Sequence, residues 1–236
     1  ADRRVAQARS QGTTDALPAL LGVPCTIKEC FALEGMPQTA GLVARKGYIA
    51  PEDGGTVRRI RATGAIPMGN TNVSELCMWL ESDNRVYGRS NNPYDVGRIV
   101  GGSSGGEGAI VGAGASPFGL GSDIGGSIRM PAFFNGIFGH KPTGGLVPGT
   151  GQFPAAGGKA MKYLTTGPLC RRAEDLMPLL RALAGPDGVD PECEAMELGD
   201  PGSVDLSTLT VLQIPDNGTT PVSGELRAAQ ERAAEH

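Results

Sequence analysis

The stretch GSDIGGSIRMP (residues 121–131) sets Ser127 behind three glycines and an acid, and ahead of an arginine and a proline. A serine hydroxyl is hardly ionised at neutral pH, so a nucleophilic role requires a base within reach. Histidine is the usual base, and the chain has two, His140 and His236. His236 is the last residue, and His140, in FGHKPTG, suits a structural or supporting role. A second serine pattern, GGSSG at 101–105, matches the G-x-S-x-G elbow of α/β-hydrolases, which needs a core strand before it and acid and histidine partners after it. The preceding NNPYDVGRIV is a weak strand, and only those two histidines could complete the set. The alternative base is a lysine, which accepts a proton only when uncharged, a form favoured by sequestration from water. Lys28 follows the apolar GVPCTI, which would carry it inward, whereas Lys46, Lys141, Lys159 and Lys162 lie in Gly-rich or polar loops.

These side chains need a scaffold, and the pattern supplies an alternation of strands and helices. GVPCTIKE (22–29) is a short apolar run opened by Gly and Pro, hence a strand ending in a loop at Lys28. Helical spacing of Val57, Ile60 and Ala62 predicts a helix over 54–65 that stops at Gly64, followed by a buried strand at 66–70. A helix is expected over 72–79, a Gly/Ala-rich helix over 103–114 and a strand over 116–122. Residues 1–9, 173–184 and 223–236 are expected as helices, the second despite Pro178 and the third capped by Ser223, and TLTVLQIP (208–215) as a strand. The segment 185–207 is acidic and rich in Pro and Gly, and is expected as a solvated loop without a chemical role. This alternation indicates an α/β domain with helices covering a sheet.

Composition narrows the possibilities. With 236 residues, 39% of them hydrophobic, and a formal charge of −4, the chain suits one large domain or part of one. No Lys/Arg cluster interleaves with aromatics, which excludes a nucleic-acid reader. The uncharged run 109–122 is broken by Gly and Pro and is too short to span a bilayer. No secretory pattern opens the chain and position 1 is not Met, so a processed, trimmed or internal start is expected. The five cysteines (Cys25, Cys30, Cys77, Cys170 and Cys193) show no CxxC spacing and are read as buried free thiols of an intracellular, reducing compartment; no metal or cofactor is implied. Glycine stands at 37 residues, 17 of them between Gly101 and Gly151, a density expected where backbone turns sharply and approaches something closely.

GVPCTIKE, GGSSGGEGA, GLGSDIGGSIRMPA and GHKPTGG resemble, in order, the signature segments of the amidase signature family. SELCMWLESDNRVYGRSNNPYD and GSIRMPAFFNGIFGHKP are most similar to its fatty acid amide hydrolases, the second type in particular. The resemblance runs from about Ala19 to Ala184 and implies an α/β amidase signature fold, a mixed β-sheet covered by helices on both faces. It implies a Ser–cis-Ser–Lys triad in which Lys28 is the base, Ser103, after a cis peptide from Gly102, the bridge and Ser127 the nucleophile. The separations, 75 and 24 residues, fit the family without an insertion. Backbone N–H groups of Ile124, Gly125, Gly126 and Ser127 would form the oxyanion hole, Asp123 and Arg129 would brace it through an ion pair, and Ser104 would support the turn. The apolar set Met78, Trp79, Leu80, Met130, Phe133, Phe134 and Phe138 is read as core, with Met78 and Trp79 as exceptions that would line a lipid-binding channel.

Family members carry more sequence before the lysine and after the nucleophile, so the chain is expected to be a single amidase signature domain, 1–236, incomplete at both ends. The implied reaction is hydrolysis of a small-molecule amide, with fatty acid amides as the expected substrates, through an acyl-enzyme, with esters as further substrates and no cofactor. Membrane association is compatible with the resemblance, as is a homo-oligomer or larger assembly. A glutamine-hydrolysing amidotransferase A-type subunit and a non-catalytic structural component of an assembly are the alternatives.

Overall fold

The computed structural model describes residues 1–157, 160 and 162–235. Lys159 and His236 therefore lie outside the described residues. By its internal contacts the chain divides into two compact units, Ala1–Met196 and Glu197–His236. The acidic segment 185–207 spans the division and lacks strands and α-helices.

The first unit is built on a five-stranded mixed sheet of β1 (Pro24–Lys28), β2 (Ile66–Thr71), β5 (Phe118–Asp123), β6 (Phe138–Gly139) and β7 (Thr165–Cys170), in the order β2-β1-β5-β7-β6. β1 runs parallel to both β2 and β5, while β7 is antiparallel to β5 and β6. A two-stranded antiparallel ribbon pairs β3 (Asp83–Asn84) with β4 (Gly88–Arg89). β5 and β7 are buried at every position and β1 at all but its first, as strands covered on both faces must be.

Five of the six expected helices form, and one that was not expected, Arg129–Phe134, joins them. α1 spans Asp2–Gln11. α2 (Gly55–Ala62) buries Val57 and Ile60, and the chain leaves it through Gly64 at φ 85°, a left-handed conformation that suits glycine. α3 (Gly105–Gly112) follows the serine-rich turn and α4 (Arg129–Phe134) follows the second serine loop. α5 (Leu176–Leu183) turns Leu179, Leu180 and Leu183 inward. Pro178 lies in its first turn, where an amide hydrogen has no intrahelical acceptor to lose.

Two expectations fail. The segment 72–79 is not a helix but a 3-10 turn at Glu75–Cys77, with Leu76 and Cys77 at φ 53° and 58°. Bonds outside the segment hold it there: Leu76 N–H donates to Ala40 O at 2.7 Å, and the Asn72 amide spans Gly88 O and Ser90 Oγ. The segment 208–215 forms no strand, and Leu209, Val211, Leu212 and Ile214 are exposed. β-propensity is a preference for a half-buried pleated surface, and this apolar segment has no ladder partner among the described residues. The second unit's regular elements are 3-10 turns at Pro201–Ser203 and Leu206–Thr208 and the helix α6 (Gly224–Glu235). Ser223 Oγ accepts from Leu226 N–H at 3.4 Å at the start of that helix. No helix among the described residues is long and apolar enough to cross a membrane.

Candidate active site

The parallel pair β1 and β5 ends in chemistry. Their register sets Ile27 beside Leu120, so the next residues along, Lys28 on β1 and Gly121 to Asp123 on β5, emerge at the same carboxyl edge of the sheet. In open α/β sheets that edge is where ligands bind. Lys28 is fully buried, and its Nζ donates to Ser103 Oγ at 2.6 Å, to Ser122 Oγ at 3.0 Å and to Ser122 O at 3.4 Å. Two residues separated by 75 positions are thereby in direct contact.

Ser103 and Ser104 sit in the turn that opens α3, and the Gly102–Ser103 peptide is cis. The turn is held from several sides. Ser82 Oγ accepts from Gly105 N–H at 2.9 Å and donates to Gly101 O at 3.2 Å. Ser104 N–H donates to Ser127 O at 3.2 Å, which ties the first serine loop to the second. Ser104 Oγ donates to Ser122 O at 3.3 Å. α3 enters close beneath: a Cβ on Gly106 would lie 2.4 Å from Asn72 N, so the helix can pack there only with glycine.

Ser127 is buried at 7% exposure, and its Oγ carries no hydrogen bond among the described residues. The loop around it is shaped by Asp123, which is fully buried. Its Oδ1 accepts from Gly126 N–H at 2.8 Å and its Oδ2 from Ile128 and Arg129 N–H at 2.9 and 3.2 Å. The Arg129 guanidinium pairs with both oxygens, at 3.1 and 3.0 Å. Burial pushes the Asp123 carboxyl up, but Arg129 and the three backbone donors outweigh it and hold the group well below the ordinary carboxylate range. The Gly126 N–H is thus engaged by Asp123 and differs from the other three expected oxyanion donors. The N–H groups of Ile124, Gly125 and Ser127 have no acceptor among the described residues.

Met78 and Trp79 lie on the surface at 75% and 69% exposure, and the Trp79 carbonyl abuts the Ser103 turn, 2.8 Å from where a Cβ on Gly102 would stand. The core reading of the remaining apolar set fails: Leu80, Phe133 and Phe138 are exposed, and Met130 and Phe134 only half-buried. Met130, Phe133 and Phe134 lie on the short helix α4, whose buried positions are Pro131 and Ala132, and Phe138 lies on β6, an edge strand of the sheet. A cavity of about 310 Å³ bordered by Gly145, Gln152, Leu164 and Thr166 includes none of the three candidate catalytic side chains. His140 is half-buried, burial lowers its imidazole below the ordinary range, and it forms no side-chain bond to either serine among the described residues. The strand before GGSSG is β4 of the two-stranded ribbon, not a strand of the central sheet, and only a bridge between Asn91 and Ile99 lies between them, so the elbow pattern lacks its scaffold.

Sequence reasoning missed several supporting groups. Ser122 completes the Lys28 environment, and its position beside Asp123 in the quoted stretch was the available signal. Glu107, the lone charge in α3, is fully buried, with Thr26 Oγ1 donating at 2.5 Å and Thr71 Oγ1 at 2.7 Å; burial pushes its carboxyl up to about 7. Glu29, next to Lys28, accepts from Thr39 N–H at 2.6 Å, Ala40 N–H at 2.7 Å and the Tyr87 hydroxyl at 2.7 Å. Cys77 is half-buried rather than buried, and the neighbouring Cys30 thiol pulls the Cys77 thiol below the ordinary range. No group of three His, Cys, Asp or Glu among the described residues could hold a metal ion.

The chain is 54% identical over 221 residues to fatty-acid amide hydrolase 2-A of Danio rerio, covering 92% of this chain and 40% of that protein. It is 57% identical over 186 residues to fatty-acid amide hydrolase 2 of Homo sapiens, covering 78% and 35%. The solved structure of native peptide amidase from Stenotrophomonas maltophilia aligns with a TM-score of 0.72 at 32% identity, over 81% of this chain and 39% of that one. The chain thus spans about 40% of the length of the first of these relatives. The family model described as Amidase matches residues 1–236, from end to end, and the chain belongs to the amidase family.

Proposed function

We propose that the protein carrying this chain hydrolyses fatty-acid amides through an acyl-enzyme on Ser127. The contact of buried Lys28 Nζ with Ser103 Oγ at 2.6 Å carries this reading, because it supplies the base that the chain's histidines do not. Uncharged Lys28 accepts the Ser103 hydroxyl proton while Ser103 takes that of Ser127, and Ser127 Oγ attacks the amide carbonyl carbon. The relay requires a hydrogen bond from Ser127 Oγ to Ser103 Oγ. The N–H groups of Ile124, Gly125 and Ser127 receive the tetrahedral oxyanion, and Gly126 acts through Asp123 by fixing the loop. A single such donor is worth about 3–4 kcal/mol of barrier. As the C–N bond breaks, the relay returns its proton to the leaving amine, and water then hydrolyses the ester to a carboxylic acid and free Ser127.

The lipid acyl group is supported by the 54–57% identity to fatty-acid amide hydrolases. Exposed Met78 and Trp79, beside the Ser103 turn, are the proposed contacts for it. The free thiols suit a reducing compartment. The test is a fluorophosphonate probe on the full-length protein, with the labelled residue mapped by mass spectrometry and amides of increasing chain length assayed alongside. Labelling at Ser127 that collapses in Lys28→Ala is expected, with turnover rising with acyl length. Labelling of Ser103 alone, or of neither serine, would contradict the assignment.

A further inference from the structure

Lys141, from the GHKPTGG segment, reaches the start of the loop between Asp123 and Ser127. It follows β6, which pairs with β7 in the register Gly139 to Leu169, and His140 N–H continues the ladder to Pro168 O at 3.1 Å. The segment passes close over β7 at Gly167, where a Cβ would stand 2.2 Å from His140 O and 2.8 Å from Pro142 Cδ. From there the Lys141 side chain, 22% exposed, extends to the end of β5. Its Nζ donates to Asp123 O at 2.7 Å, Ile124 O at 3.3 Å and Tyr163 O at 2.5 Å, and lies 3.4 Å from Asp123 Oδ1.

In a trans peptide the carbonyl of one residue and the N–H of the next point in opposite directions. Holding Asp123 O therefore turns Ile124 N–H to the other side of the chain, and holding Ile124 O does the same for Gly125 N–H. Those are two of the three N–H groups left without an acceptor. The Asp123 side chain acts further along the loop, on Gly126, Ile128 and Arg129, and does not hold these two peptide planes. Thr165 Oγ1 adds a bond to Asp123 O at 3.3 Å, which leaves the Ile124 carbonyl to Lys141.

We propose that Lys141 is a positioning residue for amide hydrolysis, whose ammonium pins the Asp123 and Ile124 carbonyls so that the Ile124 and Gly125 N–H groups stay aimed at the oxyanion. The proposal rests on the hydrolase reading above. It makes Lys141 matter to the transition state, where the oxygen carries charge, and not to the bound amide.

The experiment compares the full-length protein with its Lys141→Met and Lys141→Arg variants, using a fatty-acid amide and a trifluoromethyl ketone of the same chain. The ketone adds to the nucleophilic serine and places a hemiketal oxygen where the oxyanion would sit. Lys141→Met is expected to lower kcat at least tenfold and weaken ketone binding by a similar factor, with KM changed less than twofold. Lys141→Arg, which keeps the charge but cannot bring its forked donors to one point, is expected to recover part of both losses. An unchanged kcat, a rise in KM matching the fall in kcat, a kcat loss without loss of ketone affinity, or an Arg variant no better than Met would each overturn the role. Should the Met variant not fold, Lys141→Gln, with a shorter two-donor amide and no charge, decides by the same criteria. A wild-type protein that neither cleaves amides nor takes the ketone on Ser127 overturns the hydrolase reading and this proposal together, and the wild type alone distinguishes that case.

Discussion

Replacing Glu107 by Gln isolates the consequence of burying one carboxyl among α3, β1 and β2. The side chain is fully buried and accepts from Thr26 and Thr71, and burial lifts it from an ordinary 4.5 to about 7. Because the folded-state value is the higher one, the folded protein retains between pH 4.5 and 7 a proton that the unfolded chain has released. The contribution of Glu107 to stability is therefore fully present below about 4.5, declines as pH rises through that window, and is lost above about 7. Each pH unit across the window is worth about 1.4 kcal/mol, so the whole displacement amounts to about 3 kcal/mol. Gln has the same shape and no charge, and either threonine hydroxyl can rotate to accept from its amide. Urea unfolding of both proteins at pH 5, 6, 7 and 8 gives the free-energy difference between them at each pH. Groups common to both, such as His140 and Cys77, cancel in that difference. The variant is expected to gain on the wild type by about 2–3 kcal/mol from pH 5 to pH 8. A difference that stays flat over this range would refute the reasoning, since it would mean that Glu107 ionises as freely in the folded protein as in the unfolded chain.

Two further outcomes follow from the same geometry. Gly106→Ala would set a methyl group 2.4 Å from Asn72 N and 2.7 Å from Asn72 O, backbone atoms that cannot swing aside, and overpacking of this kind costs about 1–3 kcal/mol; an unfolding free energy equal to wild type would show that α3 can shift freely. Asp123→Asn weakens the pairing with Arg129 and the backbone donors and should cost about 2–4 kcal/mol at pH 7. Asp123 titrates lower in the folded state, so its contribution is present above the ordinary carboxylate range and is lost as pH falls below it. The gap between the two proteins should accordingly shrink at pH 3, and a gap as wide there as at pH 7 would contradict the sign.

Much of this protein is legible without coordinates. The apolar runs at 22–29 and 66–70 become β1 and β2, although β2 is an edge strand whose Ile66 and Met68 are exposed rather than buried as expected. The helical spacing of Val57 and Ile60 becomes the buried face of α2, because periodicity records which side chains face a core. Lys28, Ser103 and Ser127 could be singled out because serine chemistry demands a base and the ordered motifs supply one. Where local pattern competed with distant bonds it lost: Ala40 and Asn72 hold 72–79 out of a helix, and the apolar 208–215 finds no ladder partner among the described residues. The roles of Ser122, Glu107 and Lys141 depend on atoms 94, 81 and 17–22 positions away meeting within hydrogen-bonding distance. By itself the sequence determined the residue types, their order and the periods of the elements that carry them. Only the tertiary structure decided which N–H groups of the Asp123–Ser127 loop are engaged and which lack an acceptor, because the direction of a peptide plane depends on what its carbonyl meets, and here that is a lysine brought across the sheet by another strand.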